Sequence, residues 1–461
     1  MSGRGMFVFM ATVGAVAALA PAASAQGAAA TPTPDQAFEL GKRAFTYGFP
    51  LLEFNRVRAD DLRVQAPVNQ LANAQKLATA GADQVVAPNV DTLYSLGQFD
   101  LEKPLVLQVP KMGNRYWTFE FVEPWTNVVG YIGKRLDGGK GGTWVLEWDK
   151  APAGKLPKGA KRFRSSARRL WVIGRVLVKG NSDQPAARRL MSKFRSGTLA
   201  DFKAGKPLTR PKASLPQRPK GGPPAGLEFI RQLNSQMATD PPPEQEDRAE
   251  LDALAPAGVG IGRNPDSLPA DVQARLAEGV DAAYAALPGE ARLPILQQAK
   301  EAGGWYIPAS NIGEFGTNYT FRARVALVGL GANTPVESVY PVALTDPTGA
   351  LFDGRSRYQM VFKKGQLPPT RAFWSLTMYD TSGYLVKNAA NIYAVGDSHP
   401  PLRKRADGSV VIAIQQERPA SKDVNWLPSP PAGFRLNMRL YMPTKAILSG
   451  AWKPPGVEKV G

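Results

Sequence analysis

The chain has no cysteine in 461 residues and one histidine, His399. Without thiols there is no disulfide, no thiolate metal site and no cysteine nucleophile. A single imidazole cannot build a zinc site with two or three histidine ligands, nor the facial triad of a non-haem iron enzyme. A Ser-His-Asp triad would have to use His399. The sequence also lacks a G-x-S-x-G elbow, an S-x-x-K pair, a Walker loop and an Asp-x-Asp calcium loop. Gly258-Val259-Gly260-Ile261-Gly262 is glycine-rich but wrongly spaced for a dinucleotide turn. No metal and no cofactor is expected.

Long apolar runs are missing as well. Met6 to Ala20 is too short for a membrane span, which needs about 20 residues. With Arg4 before it, and Pro21 and Ala23-Ser24-Ala25 after it, this run predicts a signal peptide over 1–25 cleaved before Gln26. A periplasmic or secreted protein without a transmembrane segment is expected. Acidic charge is scarce too: 39 Asp and Glu stand against 57 Lys and Arg, a net charge of +18. Residues 151–220 hold most of the excess, with Asp183 and Asp201 as their only acids. Such a stripe suits a polyanion or a solvated connection. Export and the lack of any recognisable nucleic-acid module argue against nucleic acid as the partner.

What is present has clear periodicity. Thr33-Pro34-Asp35-Gln36 supplies an N-cap, a proline in the first turn and a capping-box glutamine. Ala37, Leu40, Gly41, Ala44 and Phe45 then share a helical face, and Pro50 predicts the helix end near Gly48-Phe49-Pro50. From about Val85 to Glu147 the period changes to two. Trp117, Phe119 and Phe121 alternate with Tyr116, Thr118 and Glu120, which predicts antiparallel sheet, and Trp171 to Val178 reads as its last strand. Prolines from Pro207 to Pro224 predict a long exposed connection. Helical spacing returns in Gly226–Thr239 and again from Val272 to Leu287, and strands alternate with turns from Ala323 onward. The fold class is therefore α+β, mainly β. The domain expectation is 26–180, a helix plus sandwich; 181–322, a basic connection and helical section; and 323–461, a second sandwich or barrel.

Two runs stand out: Pro88-Asn89-Val90-Asp91-Thr92-Leu93-Tyr94-Ser95 and Phe373-Trp374-Ser375-Leu376-Thr377-Met378-Tyr379-Asp380. The first, with Gly113-Asn114-Arg115-Tyr116, Trp125-Thr126-Asn127 and Gly133-Lys134-Arg135, resembles the bacterial family called domain of unknown function 1254. The second, with Gly396-Asp397, Asn425-Trp426-Leu427-Pro428 and Trp452-Lys453-Pro454-Pro455, resembles its habitual partner, domain of unknown function 1214. The resemblance implies an exported bacterial protein of two jelly-roll-like β-sandwich lobes, and it implies no settled activity. Relatives carry a histidine where this chain has Asn73.

Asp91, Asn89, Tyr94 and Ser95 would position a water or a cation; alternatively, Asn89 and Asp91 only cap their own turn. Arg115 and Arg135 flank Trp125 and Asn127, and would hold a carboxylate or phosphate or else form rim ion pairs. Asp397 would orient His399, which reads as a loop histidine. Trp374 and Tyr379 suit either sandwich core or a pocket wall. Two functions follow. One is a hydrolase or lyase for a small carboxylated or ester substrate in an interlobe cleft, with Asp91, Asp397 or His399 as base. The other is a binding or cell-envelope interaction protein for a small, anionic ligand. Oligomeric state cannot be read from these residues.

Overall fold

This computed structural model describes residues 31–460 apart from 82–85, 218, 220, 309 and 400. The signal-peptide segment lies outside the described residues. The first helix, α1 (Pro34–Val64), starts as expected: Thr33 Oγ1 accepts the Gln36 N–H, and Gln36 Oε1 accepts the Thr33 N–H. It does not end at Pro50 but continues through it. Phe45, Phe49, Leu51 and Leu52 are buried in a helical core, and that burial offsets the backbone bond the proline removes.

The strands follow: β1 (Ala72–Asn73), β2 (Thr92–Asp100), β3 (Leu105–Val109), β4 (Trp117–Val122) and β5 (Val128–Gly133). After α2 (Lys134–Asp137) come β6 (Gly142–Trp148), β7 (Lys161–Ser165) and β8 (Arg169–Leu177). Then α3 (Gln184–Met191), β9 (Arg195–Thr198) and α4 (Leu199–Lys203) complete the first lobe. Its strands form two sheets, ordered β1-β2-β8-β4-β5 and β7-β6-β3-β9. One core joins them, because Leu93, Phe119 and Val172 of the first sheet cluster with Leu105, Leu107 and Leu146 of the second. The expectation that β8 closes this lobe is corrected by β9, which pairs with β3; its sequence Arg-Ser-Gly-Thr has no apolar alternation to announce a strand.

The middle of the chain is helical: α5 (Gly226–Thr239), α6 (Glu244–Leu254), α7 (Ala270–Glu301) and, after β10 (Trp305–Tyr306), α8 (Tyr319–Gly329). The expected strands from Ala323 onward thus begin later, because α8 occupies 319–329. The α1 and α7 backbones touch at Gly41 and Gly279, where any Cβ would collide with the carbonyls of Leu276 and Phe38.

The second lobe holds β11 (Ser338–Val339), β12 (Val342–Ala343), β13 (Tyr358–Phe362), β14 (Thr370–Asp380), β15 (Ala394–Gly396), β16 (Val410–Gln415), β17 (Asn425–Pro428) and β18 (Phe434–Pro443), then α9 (Lys445–Leu448) and β19 (Val457–Lys459). Its sheets run β10-β12-β18-β14-β15 and β17-β16-β13-β19. Adding ten to each strand number of β2-β8-β4-β5 and β7-β6-β3-β9 gives the second lobe's order. The two lobes are therefore a topological repeat. Within each, one pairing is parallel, β6 with β7 and β16 with β17. The expectation of wholly antiparallel lobes is thus corrected to this mixed order.

Candidate functional site

Strand alternation builds one cavity between the lobes. On β18, Phe434, Leu436, Met438 and Leu440 enter the second-lobe core, and the intervening Arg435, Asn437, Arg439 and Tyr441 face the cavity. On β8, the repeat partner of β18, Leu170, Val172 and Val176 enter the first-lobe core, and Trp171, Ile173 and Arg175 line the same cavity. Tyr94 and Leu96 of β2 and Val342 of β12 join them, and α1, α7 and α8 close the sides. Its volume is about 1030 Å³, at the upper end of what small-ligand pockets occupy.

Its chemistry is one-sided. Arg56, Arg175, Arg292, Arg324, Arg435 and Arg439 line it, and Glu53 is the only acid among the described lining residues. Glu53 is already paired with Arg56 at 2.6 Å. Six tyrosines, Tyr94, Tyr284, Tyr306, Tyr340, Tyr384 and Tyr441, add hydroxyls to a largely apolar wall.

The arginines differ in how they are satisfied. Arg175 is buried, bonds Glu120 at 2.6 Å and Asn333 at 3.1 Å, and lies over the Tyr94 ring. Burial pushes the Glu120 carboxyl up against the pull of Arg175. Arg439 donates to Thr377 Oγ1 (2.8 Å), Tyr379 Oη (2.7 Å) and the carbonyls of Ala87 (2.7 Å) and Pro88 (3.3 Å). Burial works against its charge, but Tyr379 and the Asp91 carboxylate outweigh it and raise its pKa. Arg435 makes no hydrogen bond or ion pair to any described residue, and it shares the Tyr379 ring with Arg439, at 5.8 and 5.7 Å. Burial lowers its pKa.

Behind this wall, Asp91, Asp397 and His399 come together. Asp91 is wholly buried; its carboxylate accepts Ser375 Oγ at 2.7 Å and Ser398 Oγ at 3.3 Å, both from the second lobe. Asn89 Oδ1 accepts the Asp91 N–H at 2.7 Å, the turn cap expected from sequence, and Asn89 Nδ2 donates to Tyr441 Oη at 2.9 Å. His399 Nδ1 lies 3.1 Å from Ser398 Oγ and 3.6 Å from Asp91 Oδ1, so the imidazole faces inward, with about a fifth of its side chain open to solvent. Asp397 Oδ1 accepts the Trp374 N–H at 2.9 Å. Lost hydration, and then the Asp91 charge, push its carboxyl up to about 6, although the residue is exposed and solvent damps the effect. None of the three carboxylate or imidazole groups lines the cavity.

Of the expected substrate-binding residues, Asn89 and Tyr94 line the cavity. Tyr379 lies under Arg435 and Arg439 and donates to the Pro88 carbonyl at 2.6 Å. The others sit elsewhere. Arg115 grips Asp183 through two bonds, at 2.5 and 2.7 Å, and Arg135 pairs with Glu337 at 2.6 Å. Trp125 is buried in the helical core and donates to the Asp240 carbonyl, and Asn127 bonds Glu123 at 2.8 Å. Trp374 packs on Phe362 in the second-lobe core. Asn73 donates to the Met191 carbonyl at 3.0 Å, and its Oδ1 is buried without a partner. The sequence reading missed Arg175, Arg435, Asn437, Arg439 and Tyr441. For the last four, the polar-apolar alternation of Phe434-Arg435-Leu436-Asn437-Met438-Arg439-Leu440-Tyr441 was the available signal.

Among the described residues, no helix is long and apolar enough to cross a membrane, and no three His, Asp or Glu side chains gather as metal ligands would. Fold and cavity together define a two-lobed α+β protein with a repeated strand order and a basic, tyrosine-rich chamber between its lobes. Residues 68–197 match the family described as Protein of unknown function (DUF1254), and residues 337–445 match Protein of unknown function (DUF1214), together more than half the chain. The chain belongs to the family that joins these two domains in this order. The crystal structure of the VPA0106 protein from Vibrio parahaemolyticus is similar at 22% identity with a TM-score of 0.65, over 92% of this chain and 100% of that one, and the two share the fold. An uncharacterised protein from Burkholderia cenocepacia aligns over 92% of this chain and 94% of its own at 12% identity, with a TM-score of 0.45. No curated protein matches the chain.

Proposed function

We propose that this protein binds a small anionic ligand with an apolar body in the chamber between its lobes. One observation carries the reading: six arginines line a largely apolar chamber whose only described acid, Glu53, is already paired. Partly desolvated guanidinium groups favour an anion, because attraction grows as water is excluded. Export to the periplasm or beyond is part of the same proposal, since the N-terminal run suits a cleaved signal. Native mass spectrometry with dodecanoate or dodecyltrimethylammonium tests the binding. One dodecanoate per chain with no bound cation is expected, and equal uptake of the two, or of neither, would refute it.

A second reading, a hydrolase or lyase, has one observation in its favour. A carboxyl pushed up to about 6, Asp397, lies in the same cluster as an imidazole, and a general base works best near the ambient pH. Its position off the chamber wall makes binding the preferred reading. Turnover of a p-nitrophenyl ester panel that falls about a hundredfold in Asp397→Asn would promote the enzyme reading.

A further inference from the structure

The chamber has a distinct end at the turn after β14. Arg435 reaches it from β18, and Thr381, Ser382 and Tyr384 of the turn line the chamber beside it. Gly383, at φ +92°, leaves room for the guanidinium, since a Cβ there would collide with its Nη2. The Nε of Arg435 is buried with no partner, and no described carboxylate is bonded to the group. The Nε atoms of Arg175 and Arg324 are buried without a partner as well, but those groups are held elsewhere, Arg175 by Glu120 and Asn333 and Arg324 by Glu290 at 3.8 Å, and Arg439 has four oxygen acceptors. A half-buried, unpaired guanidinium is costly unless an anion completes it.

We propose that Arg435 and the Thr381–Tyr384 turn form the head-group subsite of the chamber, and that the group they take is a carboxylate on an apolar body. The proposal rests on the binding reading above. A planar carboxylate matches the two-pronged donor face of a single guanidinium. A phosphate dianion would need a second free cation, and the adjacent Arg439 has its donors committed to protein oxygens. From this end the apolar body would run along Leu96, Trp171 and Ile173 of the first lobe and Phe321 and Val325 of α8.

The test uses the full mature chain and reads quenching of tryptophan emission, with Trp171 in the wall as reporter. Dodecanoate, dodecanol and dodecyl phosphate are titrated into the wild type, Arg435→Gln and Arg435→Lys. The wild type should bind dodecanoate about tenfold or more tighter than dodecanol, the scale of a hydrogen bond to a charged group. Arg435→Gln should lose that advantage while keeping its dodecanol affinity, which also shows that it is folded. Arg435→Lys should recover part of it. Unchanged dodecanoate affinity in Arg435→Gln, or tighter wild-type binding of dodecyl phosphate than of dodecanoate, overturns the subsite and leaves the chamber reading standing. A wild type that binds none of the three sinks both.

Discussion

Asp91 is the residue whose loss should be felt most widely, because its buried carboxylate joins the two lobes. Asp91→Ala removes the acceptor for Ser375 (2.7 Å) and Ser398 (3.3 Å), and both serines are buried. It also removes a carboxylate charge that favours the buried Arg439 cation through space. Hydrogen bonds to a charged group are worth about 1.5–3 kcal/mol each, and a buried hydroxyl left without its partner costs about 1–3 kcal/mol. These effects share one acceptor and do not add, so a total of about 3–5 kcal/mol is expected. Asp91→Asn keeps the volume and one acceptor, and the Ser375 hydroxyl can rotate to accept, so about 1–3 kcal/mol is expected. Urea unfolding followed by tryptophan emission reads both as lowered midpoints, the alanine variant further. If both variants stay within about 0.5 kcal/mol of the wild type, the range of ordinary surface substitutions, the carboxylate does not hold the lobes and the reasoning fails.

Asp397→Asn should change how stability depends on pH. The folded carboxyl titrates near 6, above its ordinary value of 3.8, so its contribution is fully present below pH 4 and is lost as pH rises through 6. Thermal melts should therefore show a modest wild-type decline between pH 4 and 6 that the variant lacks, and superimposable profiles would contradict the shift. Gly383→Ala places a methyl against the Arg435 guanidinium at a positive φ. It should cost about 1 kcal/mol or more and weaken dodecanoate binding, and a variant that melts and binds like the wild type would count against that close approach. Expression in an export-competent host should yield a chain beginning at Gln26 by intact mass, whereas full-length chain in the membrane fraction would contradict export.

Local signals carried the strands and the first helix cap. The Thr33–Gln36 box and the alternation of Trp117, Phe119 and Phe121 depend on neighbours in sequence, and both appear in the fold where they were expected. What was not legible depended on distant contacts. Pro50 is a helix breaker by local rules, and only the burial of Phe49, Leu51 and Leu52 against α5 and α7 lets α1 run on. The parallel pairing of β7 on β6 joins strands that a hairpin rule would make antiparallel.

The chamber was missed for a similar reason. A polar sheet face such as Arg435, Asn437 and Arg439 looks the same in sequence whether water or another lobe lies opposite. Asn89 and Tyr94 were found because their run is locally unusual. Arg115 and Arg135 take the ion-pair alternative, with Asp183 and Glu337, partners that sequence could not name because they are 68 and 202 residues away.

The account turns on whether the interlobe chamber is where an apolar carboxylate goes. The most direct measurement is a crystal of the protein soaked with 12-bromododecanoate, with anomalous scattering recorded at the bromine edge. The account predicts one bromine peak inside the chamber between β8 and β18, with carboxylate density at Arg435. A peak only on the outer surface, or carboxylate density away from Arg435 in a crystal that has taken up the ligand, would contradict it.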